Sequence, residues 1–370
     1  MRIGFLAEQC LAPVPGGTGR YSRELAAALA RSVPPGAQVL GRTAWHHDAA
    51  AAAIAGVAGP RRLPLGRRAL VAAWDHGVGP RVPGDLVHAP TPLAPPRGRR
   101  PLVVTVNDAV PWTHPETLTP RGVAWHVRAV TRAAQEADLL VVPTHAVATA
   151  LGGFLALDPA RLQVVGEGVS ADLALPADAG ARARQLDLPD RFVLTVATLE
   201  PRKGLGRLLA ALTQVPDVPL LVVGQQGWGG LDVLAEAGRL GLAPGRVRLL
   251  GRLPDADLAT VLHHATVLAQ PSLAEGFGLP VLEAMAAGTP VVTSADPALV
   301  EVGGGATVVA SDGVEPLAAA LAAVLADEPL REALSRRGRV RAAEFSWDRA
   351  AGQLWAAYAR LLGAGPAGQA

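Results

Sequence analysis

The chain has 370 residues, half of them apolar, with 34 Lys and Arg against 32 Asp and Glu and a net charge of +2 at pH 7. Such a length suits two domains with separate cores, and the apolar runs are broken by charge, Gly or Pro before they could span a bilayer. The single Cys10 excludes an internal disulfide framework and a cysteine-cluster metal site, and scattered basic residues without an aromatic-rich groove pattern exclude a nucleic-acid surface.

Residues 2–6 open the chain as a strand, without the long apolar stretch of an export signal, so the cytoplasm is the expected compartment. A helix is predicted over 18–30, where Tyr21, Leu25 and Leu29 recur every four residues and give one buried face. Strands follow at 38–40, 86–88, 102–106, 139–142 and 162–165, separated by helical segments, which implies a parallel sheet covered on both faces. Residues 170–189, rich in Ala, Asp and Pro and without an apolar period, read as an interdomain linker. The pattern then restarts, with strands at 192–197, 220–223, 247–250, 267–269 and 290–293 alternating with helices at 206–212, 231–241, 255–264 and 280–287. The last helix places Leu354, Trp355, Tyr358, Leu361 and Leu362 on one face, and residues 363–370 read as a disordered tail. Two doubly wound α/β domains in tandem are therefore expected, with a cleft lined by the carboxyl ends of both sheets.

Several strings in this frame can carry chemistry. Pro15-Gly16-Gly17-Thr18-Gly19 leads into the first helix, so bare backbone N–H groups face any anion bound there, but Ser22 stands where a dinucleotide fingerprint needs its third glycine. Lys203 is the only lysine in a chain whose other basic residues are all arginine. It sits in Glu200-Pro201-Arg202-Lys203-Gly204, where the strand at 192–197 empties into a loop, and a point-like ammonium beside a planar guanidinium suits a phosphate gripped from two directions. In Glu275-Gly276-Phe277-Gly278-Leu279-Pro280-Val281-Leu282-Glu283 a glycine loop joins a strand end to a helix, so backbone amides can approach a ligand closely. Either glutamate alone reads as an ordinary acid near a helix start; the whole string does not. Asp255-Ala256-Asp257 spells an acid-x-acid metal triplet but opens a helix, so Asp255 is read as its N-cap and Asp257 as a first-turn acid.

These residues resemble the retaining, nucleotide-sugar-dependent glycosyltransferases of family 4, over nearly the full length. The resemblance rests on Glu275 to Glu283, Ala287-Gly288-Thr289-Pro290, Glu200 to Lys203, Val223-Gly224, Gly251-Arg252-Leu253, the Gly16-Gly17 loop and Phe345-Ser346-Trp347. It implies a GT-B fold, in which two doubly wound Rossmann-like domains face each other across a cleft: residues 1–170 bind the acceptor and residues 171–350 the nucleotide sugar. Residues 351–370 then form a helix packing back toward the N-terminal domain, and the tail. It also implies that Arg202 and Lys203 hold the donor diphosphate, that Glu283 binds the ribose, and that Glu275 with the amides of Gly276, Phe277, Gly278 and Leu279 orients the transferred sugar. Gly16, Gly17, Gly224 and Arg252 join the donor site, and neither a metal nor a cofactor is required.

Family members commonly carry a His-Asp pair where this chain has Asn107-Asp108. Asn107 can make the sugar contact but cannot carry a proton at neutral pH, and His114 in the following loop is a second candidate for that place. His145 is read as structural. Glu-Pro-Arg-Lys, Gly227-Trp228 and the Asp108 to Pro111 turn look most like bacterial mannosyltransferases, so GDP-mannose is ranked first as donor and a UDP-hexose second. A sugar-nucleotide binder without transfer activity is the alternative that Asn107 raises. The acceptor is left open among glycan, glycolipid and small molecule; Trp45 to Asp48 and the arginines at 61–68 are candidates to flank it, and the latter to touch anionic lipid at the inner face of a membrane.

Overall fold

The computed structural model describes residues 1–215 and 217–363. Seven parallel strands, β1 (Arg2–Leu6), β2 (Gln38–Trp45), β3 (Ala58–Gly66), β4 (Leu86–Ala89), β5 (Leu102–Thr105), β6 (Leu139–Val142) and β7 (Leu162–Val164), form one sheet in the order β3-β2-β1-β4-β5-β6-β7. The strands β4, β5 and β6 read Leu-Val-His-Ala, Leu-Val-Val-Thr and Leu-Leu-Val-Val and are buried at every residue. Only a sheet covered by helices on both faces tolerates such runs.

A second sheet holds β8 (Val193–Val196), β9 (Leu220–Val223), β10 (Val247–Gly251), β11 (Val267–Gln270), β12 (Val291–Ser294) and β13 (Val308–Ala310), again parallel, in the order β10-β9-β8-β11-β12-β13. Its core gathers Leu205, Leu208, Leu209 and Leu212 from one helix with Leu317, Leu321 and Val324 from another, each at most 2% exposed. Full burial of a side chain of this kind contributes about 1.5–3 kcal/mol. In both sheets the strand order reverses at the first strand, between β1 and β4 and between β8 and β11. Such switch points are where open α/β sheets bind ligands.

The chain divides into two units, Met1–Gly168 with the segment starting at Ser346, and Val169–Phe345. Sequence placed the second boundary at residue 350; the chain rejoins the first unit at Ser346, whose side chain caps the helix Trp347–Leu361. That helix lies on the helix Gly16–Arg31, with Trp355 Nε1 donating to the Leu29 carbonyl at 3.1 Å. Tyr358 Oη is 2.6 Å from Nδ1 of His88 on β4, whose Nε2 is 3.0 Å from Thr105 Oγ1, which also meets Tyr21 Oη at 3.0 Å. Burial pushes the His88 imidazole down to about 3, so this polar chain is neutral at physiological pH.

Two sequence expectations need correction, and two strands were missed. Residues 170–189 are not a bare linker: Leu173 and Ala179 are buried, the helix Ala179–Gln185 packs on the helix Asp255–His264, and Arg182 Nη1 reaches Asp257 at 2.7 Å. Pro254, not Asp255, is the cap residue of that second helix, and Asp255 is its first helical residue. The edge strands β3 and β13 escaped notice. Strand β3 carries Pro60, Arg61, Arg62 and Pro64 and buries only Leu63 fully, a composition that an edge tolerates and that hides the period of two. Strand β13 has three residues. The expected tail, apart from Gly363, lies outside the described residues. Among the described residues no helix is long and apolar enough to cross a membrane.

Candidate active site

At the β8/β11 switch point two loops are pressed together. After β8, Pro201–Lys203 form a single 3-10 turn that ends at Gly204 with φ +67°. A Cβ on Gly204 would lie 2.1 Å from the Pro271 carbonyl oxygen, so only glycine lets this turn sit against the loop after β11. The Leu273 amide donates to the Arg202 carbonyl at 2.8 Å and fixes the register of the two loops.

The contact brings Arg202 and Lys203 onto Glu275. Lys203 Nζ donates to Glu275 Oε1 at 2.7 Å; Arg202 Nη1 donates to Glu275 Oε2 at 2.9 Å and to the Ala274 carbonyl at 2.8 Å, and its Nη2 to Glu200 Oε1 at 3.0 Å. Ser272 Oγ and Gln270 Nε2 add donors to Glu275 Oε1, at 2.7 and 3.1 Å. Burial alone would raise the Glu275 carboxyl, but the charges of Lys203 and Arg202, with hydrogen bonds from Lys203 and Ser272, outweigh it and hold the group at about 2. The cluster is thus two cations balanced by two carboxylates, and Lys203 spends only one of its three donors on Glu275.

Beyond Glu275 the string divides by burial. Phe277 is 4% exposed and packs edge-on against Phe345, with ring centroids 5.6 Å apart, and Leu279 begins the helix Leu279–Ala287 with its side chain buried. Their side chains serve the core, which leaves the backbone from Gly276 to Leu279 as the part able to meet a ligand. Glu283 lies one turn into this helix and is itself buried. Gly224 follows β9 at φ +149°, where a Cβ would stand 1.9 Å from the Ala197 carbonyl oxygen. Its lack of a side chain is demanded by the neighbouring strand end, whatever else it touches. Arg252 follows β10 and is exposed.

Asp296 was not singled out from sequence. Its Oδ1 caps the helix Pro297–Gly303 by accepting from the Ala298 and Leu299 amides at 3.0 and 3.1 Å, and its Oδ2 accepts from the Glu275 amide at 3.3 Å. Burial, together with the Glu275 charge, pushes the Asp296 carboxyl up to about 6 against its hydrogen bonds from Leu299, Glu275 and Ala298. Asp-Pro before an apolar run was a legible helix start; its reach to a loop 21 residues earlier was not. Gln270 and Ser272 likewise gave no signal beyond being polar residues at the end of an apolar strand.

The remaining candidates belong to the first unit. Asn107 and Asp108 follow β5; Asn107 Nδ2 donates to the Pro90 carbonyl at 3.3 Å, and Asp108 Oδ1 accepts from the Val110 amide at 3.1 Å. Gly16 and Gly17 begin the helix after β1, with open space over Gly17. His114 is half-buried in the next loop, its Nδ1 3.0 Å from Thr113 Oγ1, and His145 is the first residue of a helix capped by Thr144.

Two family profiles match almost end to end: Glycosyltransferase Family 4 over residues 15–173, and Glycosyl transferases group 1 over residues 180–341. The chain carries a family 4 and a group 1 glycosyltransferase domain. This glycosyltransferase-family chain is 38% identical over 239 residues to D-inositol 3-phosphate glycosyltransferase of Mycobacterium avium, covering 61% of this chain and 56% of that one. It is 39% identical over 176 residues to O-antigen chain mannosyltransferase B of Escherichia coli, covering 46% of each. The chain thus spans about half the length of the curated relatives it matches. Among solved structures it is similar to sucrose-phosphate synthase from Thermosynechococcus elongatus, with TM-score 0.78 and 22% identity over 99% of this chain and all of that one. Anabaena HepE in complex with UDP and glucose gives 0.75 and 21%, over 97% and 100% of the two chains. The fold is GT-B.

Proposed function

We propose that the chain is a retaining hexosyltransferase that moves a sugar, mannose ranked first, from a nucleoside diphosphate to an acceptor hydroxyl without a metal ion. One observation carries the reading: Arg202, Lys203 and Glu275 converge at the switch point of the second sheet, beside a run of backbone amides. Arg202 and Lys203 hold the diphosphate, Glu283 the ribose, and Glu275 with the amides from Gly276 to Leu279 the sugar. Gly224 and Arg252 border the nucleotide, and Gly16, Gly17, Asn107 and Asp108 are the candidates that the first unit carries.

The chemistry follows from charge. As the bond from the anomeric carbon to the phosphate oxygen breaks, negative charge builds on the leaving diphosphate, and fixed cations with backbone donors stabilise it where it appears. The acceptor oxygen bonds to the anomeric carbon on the same face and its proton passes to the departing phosphate, so no pair of enzyme carboxylates at glycosidase spacing is needed. Glu275, ionised throughout the neutral range, offsets part of the cationic charge before the donor arrives and accepts hydrogen bonds from sugar hydroxyls afterwards.

A UDP-hexose is the second reading, supported by Anabaena HepE, a neighbour in fold captured with UDP-glucose. A thermal-shift panel of GDP-mannose, UDP-glucose and UDP-N-acetylglucosamine separates the two. A donor present at a hundred times its Kd adds about 2.7 kcal/mol of stability. Stabilisation by GDP-mannose alone supports mannose, stabilisation by a UDP-sugar alone replaces it, and no shift with any sugar nucleotide refutes the reading.

A further inference from the structure

In the first sheet β2 lies next to the edge strand β3, and Arg42 of β2 stands in register with Arg61 of β3. Neighbouring strands run about 4.7–4.9 Å apart, and residues two apart share a face. Arg42 therefore shares its face with Ala44, and Arg61 with Leu63, and those two apolar residues join one core, so both arginines lie on the same side of the sheet.

Arg42 is 7% exposed. Its Nε has no partner, and its Nη1 has only the carbonyl of the adjoining Gly41, at 3.4 Å. Burial, and after it the charge of Arg61, pushes the Arg42 guanidinium down from its ordinary value, with no acid acting against them. Arg61 is exposed, and among the described residues it too has no carboxylate within ion-pair distance. Its neighbours in sequence are engaged elsewhere: Arg62 donates to the His47 carbonyl at 2.9 Å, and Arg67 stands 3.9 Å from Glu8. An unpaired arginine on a surface is ordinary. A buried one is not, because it keeps its proton and its charge loses water with nothing to replace it.

We propose that Arg42 and Arg61 form a binding site for a phosphate dianion, free or carried as a monoester, at the β2/β3 edge of the first sheet. Two cations without partners call for two negative charges. A phosphate monoester carries about −1.5 to −2 at pH 7, and its oxygens suit two planar forks. Chloride, acetate or a phosphodiester brings a single charge and leaves one arginine uncompensated. The exposed Arg61 gives the ion its way in, and Arg42 holds it from within. Bound there, phosphate ties β3, whose only neighbour is β2, to the rest of the sheet. The site stands on the first sheet alone and needs no transferase activity.

Thermal unfolding of the full chain in phosphate, against chloride at matched ionic strength, tests this; six of the seven tryptophans lie in the first unit and report on it. Phosphate at a hundred times its Kd should raise the midpoint of the native chain by several degrees. Arg42→Met has a similar volume without the charge, so it should unfold no earlier than the native chain in chloride and should lose most of the rise in phosphate. Arg61→Met, an exposed change that leaves the fold intact, should need about tenfold or more phosphate for the same rise. Phosphate held by Arg202 and Lys203 is common to all three proteins and cancels in the comparison. No rise over chloride, a rise of the same size in the native chain and Arg42→Met, or earlier unfolding of Arg42→Met in chloride by several degrees overturns the proposal. Inorganic phosphate acting at concentrations no higher than glycerol phosphate assigns the site to the free ion; a preference for glycerol phosphate assigns it to a phosphorylated metabolite.

Discussion

Replacing Glu275 by Gln keeps the shape of the side chain and removes the charge that ties Lys203 and Arg202 to the loop after β11. The carboxyl has an ordinary value of 4.5 and is held at about 2 in the folded chain. A depressed carboxyl stabilises the fold above its unfolded pKa and loses that contribution as pH falls through the folded value. The difference corresponds to on the order of 3 kcal/mol at pH 7, of which about 2 kcal/mol is gone by pH 3. Glu275→Gln should therefore destabilise the second unit by about 2–3 kcal/mol at pH 7, less than removal of one partner from a fully dry ion pair because Arg202 keeps Glu200. The penalty relative to the native chain should shrink steadily between pH 5 and pH 3. Denaturant unfolding read by Trp228, the one tryptophan between Val169 and Phe345, reports on this unit. A penalty below about 0.5 kcal/mol, within the range of ordinary surface substitutions, or one independent of pH, would refute the reasoning.

Other substitutions probe the surroundings. Asp296 is raised to about 6, so it favours the folded chain most fully when protonated, below its ordinary value of 3.8, and that benefit is lost as pH rises through 6. Asp296→Asn keeps the cap through Oδ1 but sets an Nδ2 donor against the Glu275 amide, so its stability relative to the native chain should improve by about 1 kcal/mol or more between pH 4 and pH 7; a difference that does not change with pH contradicts the assignment. Tyr358→Phe strands the buried His88 Nδ1 and should cost about 1–3 kcal/mol in thermal unfolding of the first unit. Gly224→Ala drives a methyl into the Ala197 carbonyl and should cost about 2–4 kcal/mol by denaturant unfolding; an unchanged midpoint would show that β8 and β9 do not meet there as described.

The central strands were legible because each is a short, mostly apolar run between Gly, Pro or charge, whereas the last helix was placed from residue 351 although Ser346 caps it at Trp347. Strands β3 and β13 were not, since an edge strand need bury only one residue in several and can carry proline and arginine. The segment 170–189 misled for a related reason: short polar helices pack through a few contacts, here Leu173, Ala179 and the Arg182–Asp257 pair, too few to show as a period. At the site, sequence singled out Arg202, Lys203, Glu275 and Glu283 but cast the cations as waiting for phosphate. The structure adds that Glu275 and Glu200 already balance them, and Glu275 lies more than 70 positions from both cations, a relation that no local pattern encodes. Asp296 was hidden in the same way, visible as a cap and silent about Glu275.

The most direct measurement is steady-state donor turnover, with the sugar nucleotide that the thermal-shift panel selects, in native chain, Lys203→Ala and Lys203→Arg. Removing one fixed donor from a site of developing charge costs about 2.7–4 kcal/mol of barrier, a 10²–10³-fold loss of kcat. Lys203→Ala should show that loss, and Lys203→Arg should recover only part of it, because a planar fork keeps the charge but not the point geometry. Full turnover by Lys203→Ala would contradict the assignment of Lys203 to the departing diphosphate.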